Sequence, residues 1–167
     1  DDYDMLIANK CPAYCIPHRN KVIWLFHQFR QVYELWEHKY GFKNTPNFSF
    51  LKEFILNIDN KQIPKSSKIF SLSEEVARRL KQYNNIDSNV LYAPVNDAEK
   101  YYCESYNDYI FYPSRISEIK RQHIAIEAMA YVKSDVKLYI VGKCAEPNYE
   151  DSINKKIADI TNVHMQN

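Results

Sequence analysis

Glycine is nearly missing from this chain: among 167 residues only Gly41 and Gly142 are glycines. A glycine-rich phosphate loop of the dinucleotide-binding or Walker type is thereby excluded, because each needs several glycines within one turn. Any phosphate held here must be held by side chains and helix ends. Net charge is also scarce. Lys and Arg number 22 against 21 Asp and Glu, a formal balance of +1. No global field draws such a chain to nucleic acid, and no basic stripe lines one segment. Long apolar runs are missing too; the run Val22 to Phe26 is far short of the roughly 20 residues a membrane-spanning helix needs. Cysteines are few and scattered: Cys11, Cys15, Cys103 and Cys144. A chain of this length builds a core without disulfide staples, so the thiols read as reduced. Cys11, Cys15 and His18 have no second ligand pair at zinc spacing, and Pro12 and Pro17 interrupt them, so no metal site is expected.

What remains is a soluble globular composition, 46% hydrophobic and 26% charged, with strand and helix signals in alternation. Strands are expected at Asp4 to Ala8 and, more strongly, at Lys21 to Phe26, a continuous apolar run fit for a buried parallel strand. Helix is expected from Gln31 to Lys39 and again from Phe48 to Gln62, the latter with Phe50, Phe54 and Ile58 on one face and Pro64 as its stop. Lys68 to Leu72 reads as the next strand. Ser71 and Ser73 offer caps to a following helix; Ser71-x-x-Glu74 has capping-box spacing, and Val76, Leu80 and Tyr83 form the apolar stripe. Asn84-Asn85 breaks that helix, and Asn89 to Tyr92 is a short strand. After the irregular, polar stretch from Pro94 to Ser105 the theme repeats: strand Asp108 to Tyr112, helix Ser117 to Val132, strand Val136 to Val141, helix Tyr149 to Ile160, strand Asn162 to Met165. Strands alternating with helices predict an α/β class with parallel sheets. Neither half holds enough strands for a full doubly wound sheet, so the expectation is an internal piece of a longer protein.

One stretch stands out chemically. Strand Tyr109-Ile-Phe-Tyr112 hands over, through Pro113 and Ser114, to a helical pattern, and Arg115 and Lys120 sit at that handover. A helix N-terminus already carries a partial positive charge and unpaired N–H groups. Two more cations there make sense if a doubly charged phosphate is to be held. Read from residues alone, a solvated basic surface with Glu118 as partner competes with that reading.

The order of pieces resembles the glycosyltransferases of family 4. Val22-Ile-Trp-Leu-Phe-His27 looks like the N-domain strand that ends in a histidine at the cleft. Ile69-Phe-Ser-Leu-Ser73, with the helix from Glu74 to Tyr83, looks like the close of that domain. Val90-Leu-Tyr-Ala-Pro94 resembles the crossing between domains, Ser114-Arg115 to Lys120-Arg121 the Gly-Arg-x4-Lys-Gly motif, and Leu138-Tyr-Ile-Val-Gly142 the next strand and its glycine. Both motif glycines are replaced here, by Ser114 and Arg121. The family's glutamate pair and its N-terminal glycine-rich loop have no counterpart in this chain.

The resemblance implies a GT-B-like fold: two Rossmann-like parallel-sheet units, both incomplete, facing a cleft. Residues 1–88 would be the last part of the acceptor-side domain and 89–167 the first part of the nucleotide-sugar domain. It implies a retaining, metal-independent transfer of a sugar from a UDP- or GDP-sugar to a glycan or lipid-linked acceptor, with no cofactor. His27, Arg115 and Lys120 would be catalytic. Ser114, Arg115, Lys120 and Gly142 would hold the donor; His27, Gln28 and Arg30 would lie on the acceptor side. Gly142 would let base or ribose approach the backbone, or would serve only as a turn glycine. His123 reads as structural. The full enzyme would work in the cytoplasm, with possible peripheral membrane association, and nucleic acid would not be a partner. The rival reading is a non-catalytic nucleotide-sugar-binding or scaffold module of the same fold.

Overall fold

The computed structural model describes residues 3–158 and 160–166. The chain divides into two compact units, Asp1–Ala98 and Glu99–Asn167. Each is α/β and is described by itself.

The first unit is built on a parallel sheet of four strands, β1 (Leu6–Ala8), β2 (Lys21–Leu25), β3 (Lys68–Ser71) and β4 (Asn89–Val90), in that spatial order. Parallel neighbours need crossovers. The β2–β3 crossover carries α1 (Pro46–Gln62), and the β3–β4 crossover carries α2 (Glu74–Asn84). Pro46 opens α1 at a position where a missing N–H costs nothing. Ser73 is the N-cap of α2, its hydroxyl accepting from the Val76 N–H at 3.3 Å. The capping-box expectation for Ser71 is therefore corrected by two residues: Ser71 is buried in β3 and bonds the Ser88 hydroxyl at 2.7 Å. Asn85 ends α2 in the left-handed region, φ 53°, as the Asn-Asn pair predicts. Ile23, Leu25, Ile63 and Leu80 form the centre of the core with Ala8 and Tyr14.

Three expectations fail here for physical reasons. No α-helix spans 31–39; a 3-10 turn at Arg30–Val32 gives way to successive turns. Tyr33 leaves helical geometry (φ −109°, ψ −113°) while its side chain is buried, so tertiary packing overrides local propensity. The apolar face of α1 is also rotated. Ile55 and Asp59 are buried, whereas Phe50 and Phe54 are 72% and 52% exposed. Finally, Asn89 and Val90 pair with β3, so the boundary expected between 88 and 89 falls within the first sheet.

The second unit has a three-stranded parallel sheet, β5 (Tyr109–Pro113), β6 (Lys137–Val141) and β7 (Val163–Gln166). Crossovers α3 (Gln122–Met129) and α4 (Pro147–Ile157) share one face of it. Leu138, Ile140 and Val163 project to that face and pack with Ile126, Met129, Tyr149 and Ile153. Alternation sends Tyr109, Phe111 and Tyr139 to the other face, where all three are exposed. The helix expected from Ser117 to Val132 is broken in two. A 3-10 turn at Glu118–Lys120 is separated from α3 by Arg121, which sits in the left-handed region at φ 61°. No described helix is long and apolar enough to cross a membrane.

Candidate functional site

In parallel α/β sheets ligands gather at the carboxyl ends of strands, and the expected site residues of both units lie there. In the first unit, His27 follows β2 by two residues and is exposed. Its Nδ1 lies 2.6 Å from the Gln28 carbonyl oxygen. A carbonyl can only accept, so Nδ1 carries a proton, and in the neutral form of the ring the lone pair lies on Nε2.

Gln28 is buried, and its amide donates to Asn84 Oδ1. It is a strut of a polar network. Asn84 donates onward to Asn60 Oδ1 at 2.7 Å and to the Tyr33 hydroxyl at 3.2 Å. The hydroxyls of Tyr33 (2.6 Å) and Tyr14 both donate to the carboxylate of Asp59. Burial pushes the Asp59 pKa up, against the two hydroxyl donors that favour its charged form. Burial and the same carboxylate push both tyrosines up. Arg30 is engaged as well: its Nε pairs with Glu34 at 2.5 Å, and Glu34 also takes Arg79 at 2.7 Å.

In the second unit the ladder between β5 and β6 runs on past the strand ends. Ser114 N–H donates to the Val141 carbonyl, Ile116 N–H to Lys143 and Ala145 N–H to Ile116, each at 3.0 Å. Ile116 and Cys144 form a parallel bridge. Because Ile116 is fully buried, alternation turns Arg115 and Lys143 away from the core, and both are exposed. Lys120 is exposed at the end of the 3-10 turn, its carbonyl accepting from the Tyr112 hydroxyl. Among the described residues neither the Arg115 guanidinium nor the Lys120 ammonium has an ion-pair partner.

Gly142 belongs to the same construction. Its φ is 153°, and a Cβ placed on it would lie 2.1 Å from the Ser114 carbonyl oxygen. The glycine is thus required by close approach of the Ser114–Arg115 backbone. Ser114, Arg115 and Gly142 come together in one corner, with Lys120 on the turn that follows. Sequence reasoning passed over Lys143, the cation beside Gly142, and Gln122, whose amide donates to Ser114 Oγ at 2.9 Å and to the Arg115 carbonyl at 2.8 Å. The available sequence signal was only a glutamine two residues before the run Ile124-Ala-Ile126.

His123 is held through its ring Nδ1, 2.8 Å from the Tyr149 hydroxyl, in line with a structural part.

This corner brings exposed cations and backbone groups to the end of a parallel sheet, a combination that can receive an anion. The chain matches no known family profile, and no curated protein matches it. Among solved structures it is similar to Alr3699/HepE of Anabaena, crystallised in complex with UDP-glucose. The TM-score is 0.63 at 19% identity, over 98% of this chain and 48% of that one. The chain therefore spans about half the length of that protein, and the likeness shows the fold: α/β, two GT-B-like parallel-sheet units.

Proposed function

We propose that this chain is part of a glycosyltransferase that takes its sugar from a nucleoside-diphosphate donor, UDP- or GDP-linked. The observation that carries the reading is the corner at the end of β5: Arg115 and Lys120 without an ion-pair partner among the described residues, on a loop bonded to the glycine turn after β6. The likeness to a protein crystallised with UDP-glucose supports it.

Sugar transfer expels a nucleoside diphosphate, and negative charge grows on that leaving group in the transition state. Cations fixed where the charge develops lower the barrier and supply the neutralisation a metal would otherwise give. Arg115 forks onto two phosphate oxygens, and Lys120 adds a point charge. Ser114 and Gly142 shape the backbone beneath them. His27, with Nδ1 protonated and Nε2 open, offers an acceptor to a sugar hydroxyl; Gln28 and Arg30 support that region through Asn84 and Glu34. The proposal extends to retention at the anomeric carbon, independence of metal and cofactor, and a glycan or lipid-linked acceptor. It places the whole enzyme in the cytoplasm, against the membrane surface when the acceptor is lipid-linked.

Isothermal titration with UDP, GDP and their sugar conjugates tests this. The expected result is binding of one nucleotide, weakened at least tenfold in Arg115→Ala with Lys120→Ala, the equivalent of about 1.4 kcal/mol. Equal affinity in the double variant would overturn the phosphate site.

A further inference from the structure

The corner that carries Arg115 rests on a residue that never reaches its surface. Gln122, the first residue of α3, is fully buried. Its side-chain nitrogen bridges two acceptors on the turn above, Ser114 Oγ at 2.9 Å and the Arg115 carbonyl at 2.8 Å. The Arg115 carbonyl can only accept, which fixes the orientation of the amide. Its other end, Oε1, is then buried with no hydrogen-bond partner. A buried acceptor left unmade is costly, and cores ordinarily avoid it by placing an apolar residue there. A methionine or leucine would fill this position without that cost. What neither could do is donate two hydrogen bonds to the Ser114–Arg115 turn.

The placement of α3 explains why the turn needs holding. Arg121 stands in the left-handed region between the 3-10 turn and the helix. The loop from Ser114 to Lys120 is therefore not continuous with α3 and does not inherit its rigidity. It is tied from one side by the ladder to Val141 and Lys143, at its far end by the Tyr112 hydroxyl on the Lys120 carbonyl, and under Ser114 and Arg115 by Gln122.

We infer that Gln122 is a positioning residue: its buried amide sets the Ser114–Arg115 turn in the geometry that receives the diphosphate. The inference rests on the phosphate site proposed above. Anion affinity depends on the guanidinium being ordered before the ligand arrives, since any ordering left to binding is subtracted from it.

The test compares UDP with uridine by isothermal titration on the whole chain, with thermal unfolding alongside. Gln122→Met removes both donors and the orphaned acceptor together, so its unfolding temperature is expected to stay near that of the parent chain. Its UDP affinity is expected to fall about tenfold, the factor that 1.4 kcal/mol converts to, while uridine affinity changes less than about twofold. Gln122→Asn, which keeps the amide and withdraws it by one methylene, is expected to show the same phosphate-selective loss and serves if the methionine variant does not fold. Unchanged UDP affinity in these variants, or equal losses for UDP and uridine, would overturn the inference. Arg115→Ala separates the two levels of the argument. If it too leaves UDP binding untouched, the phosphate site itself fails; if it weakens UDP while the Gln122 variants do not, only the positioning role fails. A folded parent chain that binds neither UDP nor GDP overturns both.

Discussion

Asp59 is a carboxyl group sealed in the first unit, and its replacement by asparagine has a calculable signature. Burial raises its pKa in the folded chain above the ordinary carboxylate value, with Tyr14 and Tyr33 opposing that shift through hydrogen bonds. The sign follows from linkage. Between the unfolded value, about 3.9, and the raised folded value, the unfolded chain has released a proton that the folded chain still holds. The stabilising contribution of the protonated group is therefore complete below about pH 3.9 and is lost as pH rises through the folded value. Within that window the slope reaches at most about −1.4 kcal/mol per pH unit. Asp59→Asn has no such window. It presents one acceptor and one donor edge to the tyrosine pair, the same pattern as the protonated carboxyl, so at acid pH it is expected to match the parent to within about 1 kcal/mol. The variant is therefore expected to match the parent chain at acid pH and to become the more stable of the two as pH rises. Trp24 and Trp36, the only two tryptophans, both lie in the first unit, so their fluorescence reports its urea unfolding directly. Denaturation midpoints across pH 4 to 8 give the two curves. Parallel curves would refute the reasoning, because they would mean that Asp59 ionises alike in the folded and unfolded chain.

Three further perturbations follow from local geometry. Gly142→Ala drives a methyl group against the Ser114 carbonyl, so it is expected to lower the stability of the second unit by about 2 kcal/mol or more and to weaken UDP binding together with it; calorimetry and titration on one preparation check both. Arg121→Gly places the residue best suited to a φ of 61° where an arginine now stands, and thermal unfolding is expected to show a gain of roughly 0.5–1 kcal/mol. Ser73→Ala removes the α2 cap and is expected to cost about 1 kcal/mol in urea titration, whereas Glu74, which the capping-box spacing singles out, is expected to tolerate glutamine with little change.

The alternation of strands with helices, and with it the parallel sheets, was legible because the apolar runs at β2, β5 and β6 are continuous and bounded by turn residues. The Arg115 and Lys120 spacing was legible for the same reason: it is local. What sequence could not show was set by distant partners. Tyr33 abandons helix because its side chain is wanted inside, and Asp59 is carried inward on α1 by two tyrosine hydroxyls, one of them 45 residues away in sequence. That pull turns Phe50 and Phe54 outward against the evident pattern. Arg121 hid a helix break because only glycine or asparagine advertises the left-handed region. Gln28 reads in sequence as a neighbour of His27 on the acceptor side, and only the fold shows that its own side chain is buried and bonded to Asn84.

The contact between Gly142 and Ser114 constrains how this protein can drift. The obstacle to a larger residue at 142 is a main-chain oxygen, present whatever amino acid occupies 114. No exchange of side chain at 114 can make room for it. Genetic suppressors of a defect at 142 should therefore not arise at its contacting partner. They would have to come from changes that shift the whole turn, and those would move Arg115 as well.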